Sequence, residues 1–258
     1  MTGRSSGGSA GAVGPAATGA AAAGPLLGKV AFITGASRGI GRGLALALAR
    51  AGADVALAAR TAPDLEAAAG EIRQLGRAAL VCPADMRRAE DVDAAVRRAV
   101  ERFGRIDILV NNAGLGHFGP VDELPVERFD EMLEVNLRAP FLCTRAVVPV
   151  MKRQGGGTIL NVASVAGLVG NPNLSGYNAT KFGLMGFSEA CMLELRHHDI
   201  KVAVLCPGST ATDFGRGKDV AGRLTVEDVA QAALAILTSG PNALLSQVHL
   251  RPLHPPGR

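Results

Sequence analysis

The sequence predicts an α/β protein built as a doubly wound parallel sheet in a single domain. Three observations predict this fold class. Short, continuous apolar runs read as strands buried on both faces, which is typical of parallel sheets. Helical segments alternate with these runs, as in βαβ units. The alternation continues from Leu26 almost to the end of the 258-residue chain, so right-handed crossovers would place helices on both faces of one sheet.

The first half of the domain alternates strictly between strand and helix. Its strand segments are rich in Val, Ile, Leu and Ala, and its first helical segment is made of Leu and Ala and followed by Gly52. The predicted strands are Lys29–Thr34, Asp54–Ala59, Ala78–Pro83 and Ile106–Val110. The predicted helices are Arg42–Ala51, Asp64–Leu75 and Ala89–Phe103.

The second half continues the alternation with longer helices. Val126–Gln154 reads as one helical stretch that is interrupted in character at Pro140 and Pro149. The later predicted elements are strand Thr158–Ala163, helix Tyr177–His197, strand Lys201–Cys206, amphipathic helix Thr225–Thr238 and a short edge strand Gln247–Leu250.

Residues 1–25 differ in composition from the domain at 26–258. They are mainly Gly and Ala, with Val13 as the one large aliphatic residue. Such a segment buries too little surface to offset its ordering entropy. We therefore expect a disordered extension. A signal peptide is the less favoured alternative, because Ala20–Ala23 is a poor substitute for a Leu-rich core.

Composition excludes several classes of protein. The net charge is +4, a mild excess spread along the chain that does not favour nucleic-acid binding. The apolar runs fall short of the roughly 20 residues of a membrane helix. The four cysteines form no C-x-x-C pair, so we expect no metal site, reduced thiols and a cytoplasmic location. These cysteines are Cys82, Cys143, Cys191 and Cys206.

A glycine-rich turn follows the first predicted strand, where a doubly wound sheet binds ligands. Glycine lets the chain turn tightly and lets the main chain approach a pyrophosphate. The spacing is G-x-x-x-G-x-G, and its place at a helix start favours a dinucleotide site over an ordinary strand-to-helix turn. The candidate cofactor-binding residues here are Gly35, Ser37, Arg38, Gly39, Ile40 and Gly41.

The second predicted strand points to NADP(H) rather than NAD(H). A carboxylate at its end would bind a free ribose hydroxyl, but Asp54 lies at its other end and Arg60 follows it. Arg38 and Arg60 both offer guanidinium groups suited to a 2′-phosphate. The alternative is that both are solvated surface arginines. Asp85 and Met86, after the third strand, are candidates to accept a hydrogen bond from the adenine amino group.

Later turns carry the candidate catalytic residues. Ser164 ends the fifth strand, and Tyr177 and Lys181 lie one turn apart on one helix face. An ammonium group beside a phenol is expected to lower the tyrosine pKa toward the range of a general acid or base. A serine hydroxyl can hold a substrate oxygen where charge develops. After the fourth strand, the candidate cofactor-binding residues are Asn112, Ala113 and Gly114.

On these motifs, from about Leu27 to about Thr212, the sequence resembles the classical short-chain dehydrogenase/reductase family, which implies a Rossmann-type domain. Asn136 matches a fourth catalytic residue of the family, which anchors a water beside the lysine. The segment that holds the nicotinamide carboxamide in the family matches this chain at Pro207, Gly208, Thr210 and Thr212.

The resemblance implies hydride transfer from NADPH to a ketone. Ser164 would polarise the carbonyl and Tyr177 would donate the proton. Lys181 would bind the nicotinamide ribose, with Tyr177 also at the cofactor, and Asn136 would complete a proton relay. The chain looks most like 3-oxoacyl-(acyl-carrier-protein) reductases, although it lacks their glycine pair near the C-terminus. His117 either lines the substrate pocket or lies in a solvent-exposed loop.

Two alternatives stay open. One is an NADP-dependent alcohol, sugar or hydroxy-acid dehydrogenase of the same fold. The other is a non-catalytic NADP-binding sensor, although all four catalytic positions are filled. By analogy with the family, we expect a homodimer or homotetramer paired through the helices at Val126–Gln154 and Tyr177–His197.

Overall fold

The computed structural model describes residues 1–3, 24–212, 214 and 222–254. The predicted extension lies largely outside these residues. Within them, seven parallel strands form one sheet in the order β3-β2-β1-β4-β5-β6-β7, which confirms the predicted fold class. The strands are β1 (Val30–Thr34), β2 (Asp54–Ala59), β3 (Ala79–Pro83), β4 (Ile108–Asn111), β5 (Gly157–Val162), β6 (Ile200–Pro207) and β7 (Gln247–Leu250).

Helices cover both faces of the sheet. Along β1, Ala31 and Ile33 join the core against one face, and Phe32 joins the core against the other. This double burial explains why the strands read as continuous apolar runs. The helices are α1 (Gly39–Arg50), α2 (Ala62–Gln74), α3 (Ala89–Phe103), α4 (Val126–Leu133), α5 (Ala139–Gln154), α6 (Ser175–Leu195) and α7 (Val226–Leu237).

The order of the strands reverses direction between β1 and β4. The chain winds outward from β1 to β3, then returns to pair β4 beside β1 and winds outward the other way. The loops after β1 and β4 therefore diverge at the carboxyl edge of the sheet, which is where doubly wound folds bind ligands.

The predicted long helix is interrupted at a different place from the one expected. Glu134–Arg138 forms a π-helical turn between α4 and α5, and Pro140 lies in the first turn of α5 while Pro149 lies inside that helix. The expectation of a break at the prolines is wrong. The extra residue of the π turn falls around Asn136, and such turns are frequent at functional sites.

No helix in the described part of the chain is long and apolar enough to cross a membrane.

Candidate active site

The β1–α1 turn is shaped to hold an anionic group. Gly35 and Gly39 have φ angles of +64° and +55°, in the region that favours glycine. A Cβ on Gly41 would lie 2.2 Å from the Gly35 carbonyl oxygen. The two segments of the turn can approach this closely only because residue 41 has no side chain. Helix α1 starts at Gly39 with no side-chain cap and no acidic residue in its first turn. Its N-terminal amides therefore remain available to phosphate oxygens.

Thr34, which the sequence analysis did not single out, joins this turn to the loop after β4. Its hydroxyl accepts hydrogen bonds from the main-chain N–H groups of Asn112 and Ala113, both at 3.0 Å. The Asn112 amide donates back to the carbonyls of Thr34 and Gly35, at 3.0 and 3.2 Å. The predicted Asn112–Gly114 loop is thereby fixed against the glycine turn, and its small residues leave the edge of the sheet open.

The two arginines predicted to recognise a 2′-phosphate are exposed. Arg38 immediately precedes α1 and Arg60 immediately follows β2. The register pairs Ala59 with Pro83, which brings the end of β2 beside the end of β3. Arg60 helps to lower the pKa of Asp85, so the guanidinium group lies within electrostatic reach of that carboxylate.

Asp85 and Met86 are less free than the sequence indicated. The Arg87 side chain binds the Asp85 carboxylate, with Nη2–Oδ2 at 2.6 Å and Nε at 3.0 Å from both oxygens. This hydrogen bonding holds the Asp85 pKa below its usual value. The Met86 side chain is buried in the core, with its sulfur 3.8 Å from that of Cys143. Only the main chain of Met86 is therefore left to face a nucleotide.

Tyr177 and Lys181 lie one turn apart on α6, as predicted, and both are buried. Tyr177 is 7% exposed and Lys181 is 4% exposed. The Lys181 ammonium lies 5.7 Å from the centroid of the Tyr177 ring and donates to the Val162 carbonyl at 3.2 Å. Because Val162 ends β5, this bond attaches the helix to the carboxyl edge of the sheet.

Burial reverses the predicted pKa shift of Tyr177. Desolvation raises the pKa of Tyr177 to about 12, with a hydrogen bond from Ser164 acting in the opposite direction. Desolvation also lowers the pKa of Lys181 to about 8. The expectation of a lowered tyrosine pKa is therefore wrong. The low-dielectric surroundings disfavour both charged forms, the Tyr177 phenolate and the Lys181 ammonium. The phenol is protonated at neutral pH.

Ser164 begins the short helical turn Val165–Gly167 directly after β5, and its hydroxyl accepts from the Ala166 N–H at 3.1 Å. The Ser164 side chain acts to lower the Tyr177 pKa, so the predicted oxygen-holding group lies close to the predicted proton donor.

Asn136 is fully buried and belongs to the same cluster. Its amide nitrogen donates to the Leu115 carbonyl at 2.8 Å and to the Thr180 hydroxyl at 3.1 Å. Its oxygen accepts from the Leu115 N–H at 2.8 Å. Both amide hydrogens are thus engaged by protein groups. A water beside the lysine would have to use the remaining lone pair of the oxygen or the main chain.

The space in front of Gly114 connects this cluster to the cofactor turn. A Cβ on Gly114 would lie 3.4 Å from Asn136 Oδ1 and 3.8 Å from Lys181 Nζ. The absence of a side chain on Gly114 leaves space directly beside both polar groups at the edge of the sheet. This opening fits the ribose hydroxyls that Lys181 is expected to bind.

Two phenylalanines that the sequence analysis did not identify flank Tyr177. The ring centroids of Phe118 and Phe214 lie 5.7 and 5.9 Å from that of Tyr177. Phe118 comes from the loop after β4 and Phe214 from beyond β6. No pattern in the sequence relates either residue to Tyr177, because the contacts form only when distant segments meet.

The predicted carboxamide segment lies at the end of β6. Pro207 is its last residue, and the Gly208 N–H bonds to the Leu250 carbonyl at 2.8 Å. The Thr210 hydroxyl donates to the Gly208 carbonyl at 3.0 Å, and the Thr212 hydroxyl accepts from the Phe214 N–H at 3.2 Å. Thr212 also approaches Gly39, since a Cβ on that glycine would lie 3.6 Å from Thr212 Cγ2. The segment therefore faces the cofactor turn.

His117 is half-buried and lines a cavity of about 500 Å³ beside the loop after β4. Its Nε2 lies 2.8 Å from the Glu131 carboxylate, which also binds Arg128 at 3.2 Å. The expectation of a solvent-exposed loop histidine is wrong, and the pocket-lining alternative agrees with this position.

Taken together, these residues suit a dinucleotide. The glycine turn, Gly114 and the Thr212 segment follow one another along the carboxyl edge of the sheet, from β1 through β4 to β6. The resemblance to the short-chain dehydrogenase/reductase family implies a substrate lid at Asp213–Leu224, of which residues 213 and 215–221 lie outside the described residues.

Comparison with known proteins agrees with this site. The family model for short chain dehydrogenases matches residues 29–221. D-beta-hydroxybutyrate dehydrogenase from Cupriavidus necator is 38% identical over 206 residues, which cover 79% of each chain.

Two solved structures are similar over nearly their whole length. An alcohol dehydrogenase from Thermococcus sibiricus, complexed with 5-hydroxy-NADP, has a TM-score of 0.83 and 35% identity, covering 89% of this chain and 99% of that one. The 3-ketoacyl-(acyl-carrier-protein) reductase from Brucella melitensis, complexed with NADH, has a TM-score of 0.81 and 36% identity over the same shares.

Proposed function

The chain belongs to the short-chain dehydrogenase family of oxidoreductases, which bind a nicotinamide cofactor, and we propose that it uses NADPH to reduce a ketone. The observation that carries this proposal is the cluster of Ser164 with the buried residues Tyr177 and Lys181, next to Gly114. When bound, the cofactor supplies the hydride that the carbonyl carbon accepts.

The side chains supply the proton and its positioning. Ser164 holds the carbonyl oxygen near Tyr177, whose hydroxyl transfers its proton to that oxygen as the alcohol forms. Because the Tyr177 pKa is raised to about 12, the phenol is in the form that a reduction needs. Lys181 binds the ribose hydroxyls, with its ammonium 5.7 Å from the centroid of the Tyr177 ring. Asn136 fixes the π turn beside the lysine.

The preference for NADPH is supported by Arg38 and Arg60. The Arg38 side chain is exposed at the glycine turn and the Arg60 side chain is exposed at the end of β2. At these positions both guanidinium groups can bind a 2′-phosphate. The nearest acidic side chain after β3, Asp85, is already paired with Arg87. One structural relative is complexed with 5-hydroxy-NADP and the other with NADH, so this preference belongs to the proposal.

The proposed substrate is a 3-oxoacyl thioester. Similarity to the 3-ketoacyl-(acyl-carrier-protein) reductase supports it. The second candidate is an alcohol or hydroxy-acid dehydrogenase, which the similarity to D-beta-hydroxybutyrate dehydrogenase favours. A sensor without activity is disfavoured, because each of the four catalytic positions is filled and placed in one cluster.

A carbonyl panel tests the proposed function. The oxidation of NADPH and of NADH is followed with acetoacetyl thioesters, simple ketones and keto sugars, and the reverse reaction with 3-hydroxybutyrate. We expect thioester reduction with NADPH to be fastest. Faster oxidation of 3-hydroxybutyrate would support the second candidate, and binding of NADPH without any turnover would support a sensor.

We also propose a homo-oligomer that pairs through the outer faces of α5 and α6. Phe141 and Phe182 are 47% and 46% exposed there. An apolar groove between the π turn, α5 and α6 is lined by Leu133, Leu137, Phe141, Gly183 and Phe187, with Glu134 and Arg138 at its edge. Sedimentation equilibrium measures the assembly. A monomer at all concentrations would contradict pairing.

A further inference from the structure

Aromatic rings enclose the proposed proton donor on two sides. The Phe118 ring meets Tyr177 edge to face, with an interplanar angle of 81°. The Phe214 ring is tilted against it by 48°. The whole chain has only eight phenylalanines and one tyrosine, so two of its few aromatic rings pack against the ring of the proposed proton donor.

Apolar residues complete the surroundings of Tyr177. It forms a small core cluster with Met132 and Ala166, separate from the cores on the two faces of the sheet. Leu124 and Leu174 pack against this cluster from outside. A substituent of the substrate that lies beside Tyr177 therefore meets hydrocarbon, while Ser164 meets the carbonyl oxygen.

Phe118 also connects Tyr177 to a cavity. The ring lines the cavity of about 500 Å³ together with Leu124 and Pro125, and His117, Glu123 and Arg128 complete its lining. This volume is in the range of small-molecule sites. Because one ring touches both the catalytic side chain and the cavity, a chain attached to the carbonyl carbon can pass along Phe118 into it.

We propose that Phe118 and Phe214 select ketones that carry an apolar chain, and that this chain lies along Phe118 in the cavity. The inference rests on the proposed function and names the substrate class of that site. Each buried methylene is expected to raise kcat/KM about fourfold. Polyhydroxylated chains are disfavoured where the chain lies against Phe118 and Tyr177, because hydroxyls there would lose water without gaining partners against the rings.

Two matched measurements test this inference in the full-length chain. The first is kcat/KM with NADPH for methyl ketones whose alkyl group grows from ethyl to hexyl, with keto sugars for comparison. The second is calorimetric binding of the corresponding unreactive primary amides to the NADPH-saturated protein. The second measurement reports on the cavity even where no reduction occurs.

Three variants localise the effect. Phe118→Ala removes the ring. Gly116→Ala keeps the ring but displaces it, because the new Cβ would lie 2.5 Å from Phe118 Cζ. Phe103→Leu is the control, since Phe103 is also half-buried but lies at the end of α3.

In Phe118→Ala and Gly116→Ala, we expect the increase in kcat/KM for each added methylene to fall from about fourfold to about twofold or less. Phe103→Leu should match the parent protein with every ketone.

The outcomes separate this inference from the proposed function. The inference would be overturned, and the proposed function would stand, if kcat/KM did not rise with added methylenes. The same holds if Phe118→Ala and Gly116→Ala lowered kcat/KM equally for every ketone. Amide binding that strengthens with chain length, without turnover, would support the inference and overturn the function. Neither turnover nor amide binding would overturn both.

Discussion

At the ends of β1, β2 and β3 the site consists of main-chain groups and exposed guanidinium groups, whereas at the ends of β4, β5 and β6 it consists of buried side chains. The first region relies on glycines with positive φ and on the open start of α1. In the second, Asn136 and Thr180 are fully buried and Tyr177 and Lys181 nearly so. The cofactor region therefore depends on shape and surface charge, and the catalytic region on desolvated polar groups.

The two regions should differ in what their residues do for the protein. Buried polar groups are expensive unless paired, so the catalytic region is expected to reduce stability where pairing is incomplete. Exposed arginines contribute little to folding. Substitutions in the catalytic region should change chemistry and stability, and substitutions in the cofactor region should change affinity alone.

The largest expected effect follows from removing the Tyr177 hydroxyl. Tyr177→Phe keeps the ring and its packing against Phe118 and Phe214 but removes the proton donor. We expect kcat to fall about 1,000-fold or more, while the Kd of NADPH changes little. Stopped-flow turnover and fluorescence titration measure the two quantities. Retained turnover would contradict the assignment of Tyr177 as proton donor.

The second effect is a gain in stability from removing a buried ammonium. The Lys181 pKa is lowered from 10.5 to about 8 in the folded protein, so the unfolded chain binds the proton more tightly. Below pH 8 the folded state carries the full penalty, and the penalty disappears as the pH rises from 8 to 10.5. Lys181→Met should therefore raise the free energy of unfolding by about 2 kcal/mol near neutral pH, after losing the bond to Val162.

Urea unfolding near neutral pH and at a more alkaline pH below the usual tyrosine pKa measures this difference. The advantage of Lys181→Met over the parent protein should shrink at the higher pH. Tyr177, which remains in both proteins, does not affect the comparison. A variant that is less stable than the parent protein at both pH values would show that the ammonium is adequately paired.

The third effect tests a positioning residue. The Thr180 hydroxyl accepts from Asn136 at 3.1 Å and donates to the Tyr177 carbonyl at 2.8 Å, so it joins the π turn to α6. Thr180→Val keeps the shape but leaves an amide hydrogen of Asn136 buried without this partner. We expect kcat to fall about tenfold with KM for NADPH nearly unchanged.

Thr180→Ser is the matched control, because it restores the hydroxyl and should recover most of the activity. A loss of stability in Thr180→Val without a change in kcat would indicate a structural role only. An equal loss in Thr180→Ser would show that the methyl group matters rather than the hydrogen bonds.

The same contrast explains what the sequence could predict. The bounds of β2, α3 and β7 follow from local pattern and agree with the structure. The placement of Tyr177 and Lys181 on one face of a helix follows from their spacing of one helical turn. Other features depend on segments that meet only in the fold. These are the bridge from Thr34 to Asn112, the bond between Asn136 and Thr180, the rings at Tyr177 and the burial that raises its pKa.

A further effect, as large as that of Thr180→Val, is expected in the cofactor region. Arg60→Ala and Arg38→Ala each remove one exposed guanidinium group that is proposed to bind the 2′-phosphate. The Kd of NADPH should rise about tenfold in each variant, because a charge-assisted hydrogen bond is lost, while the Kd of NADH stays nearly constant. Arg50→Ala is the control, since this exposed arginine lies at the opposite end of α1. The free energy of unfolding should not change in any of the three.

An equal rise in the Kd of NADPH and of NADH would contradict 2′-phosphate recognition. A loss of stability would remove the distinction between the two regions, because it would show that these surface charges also hold the fold.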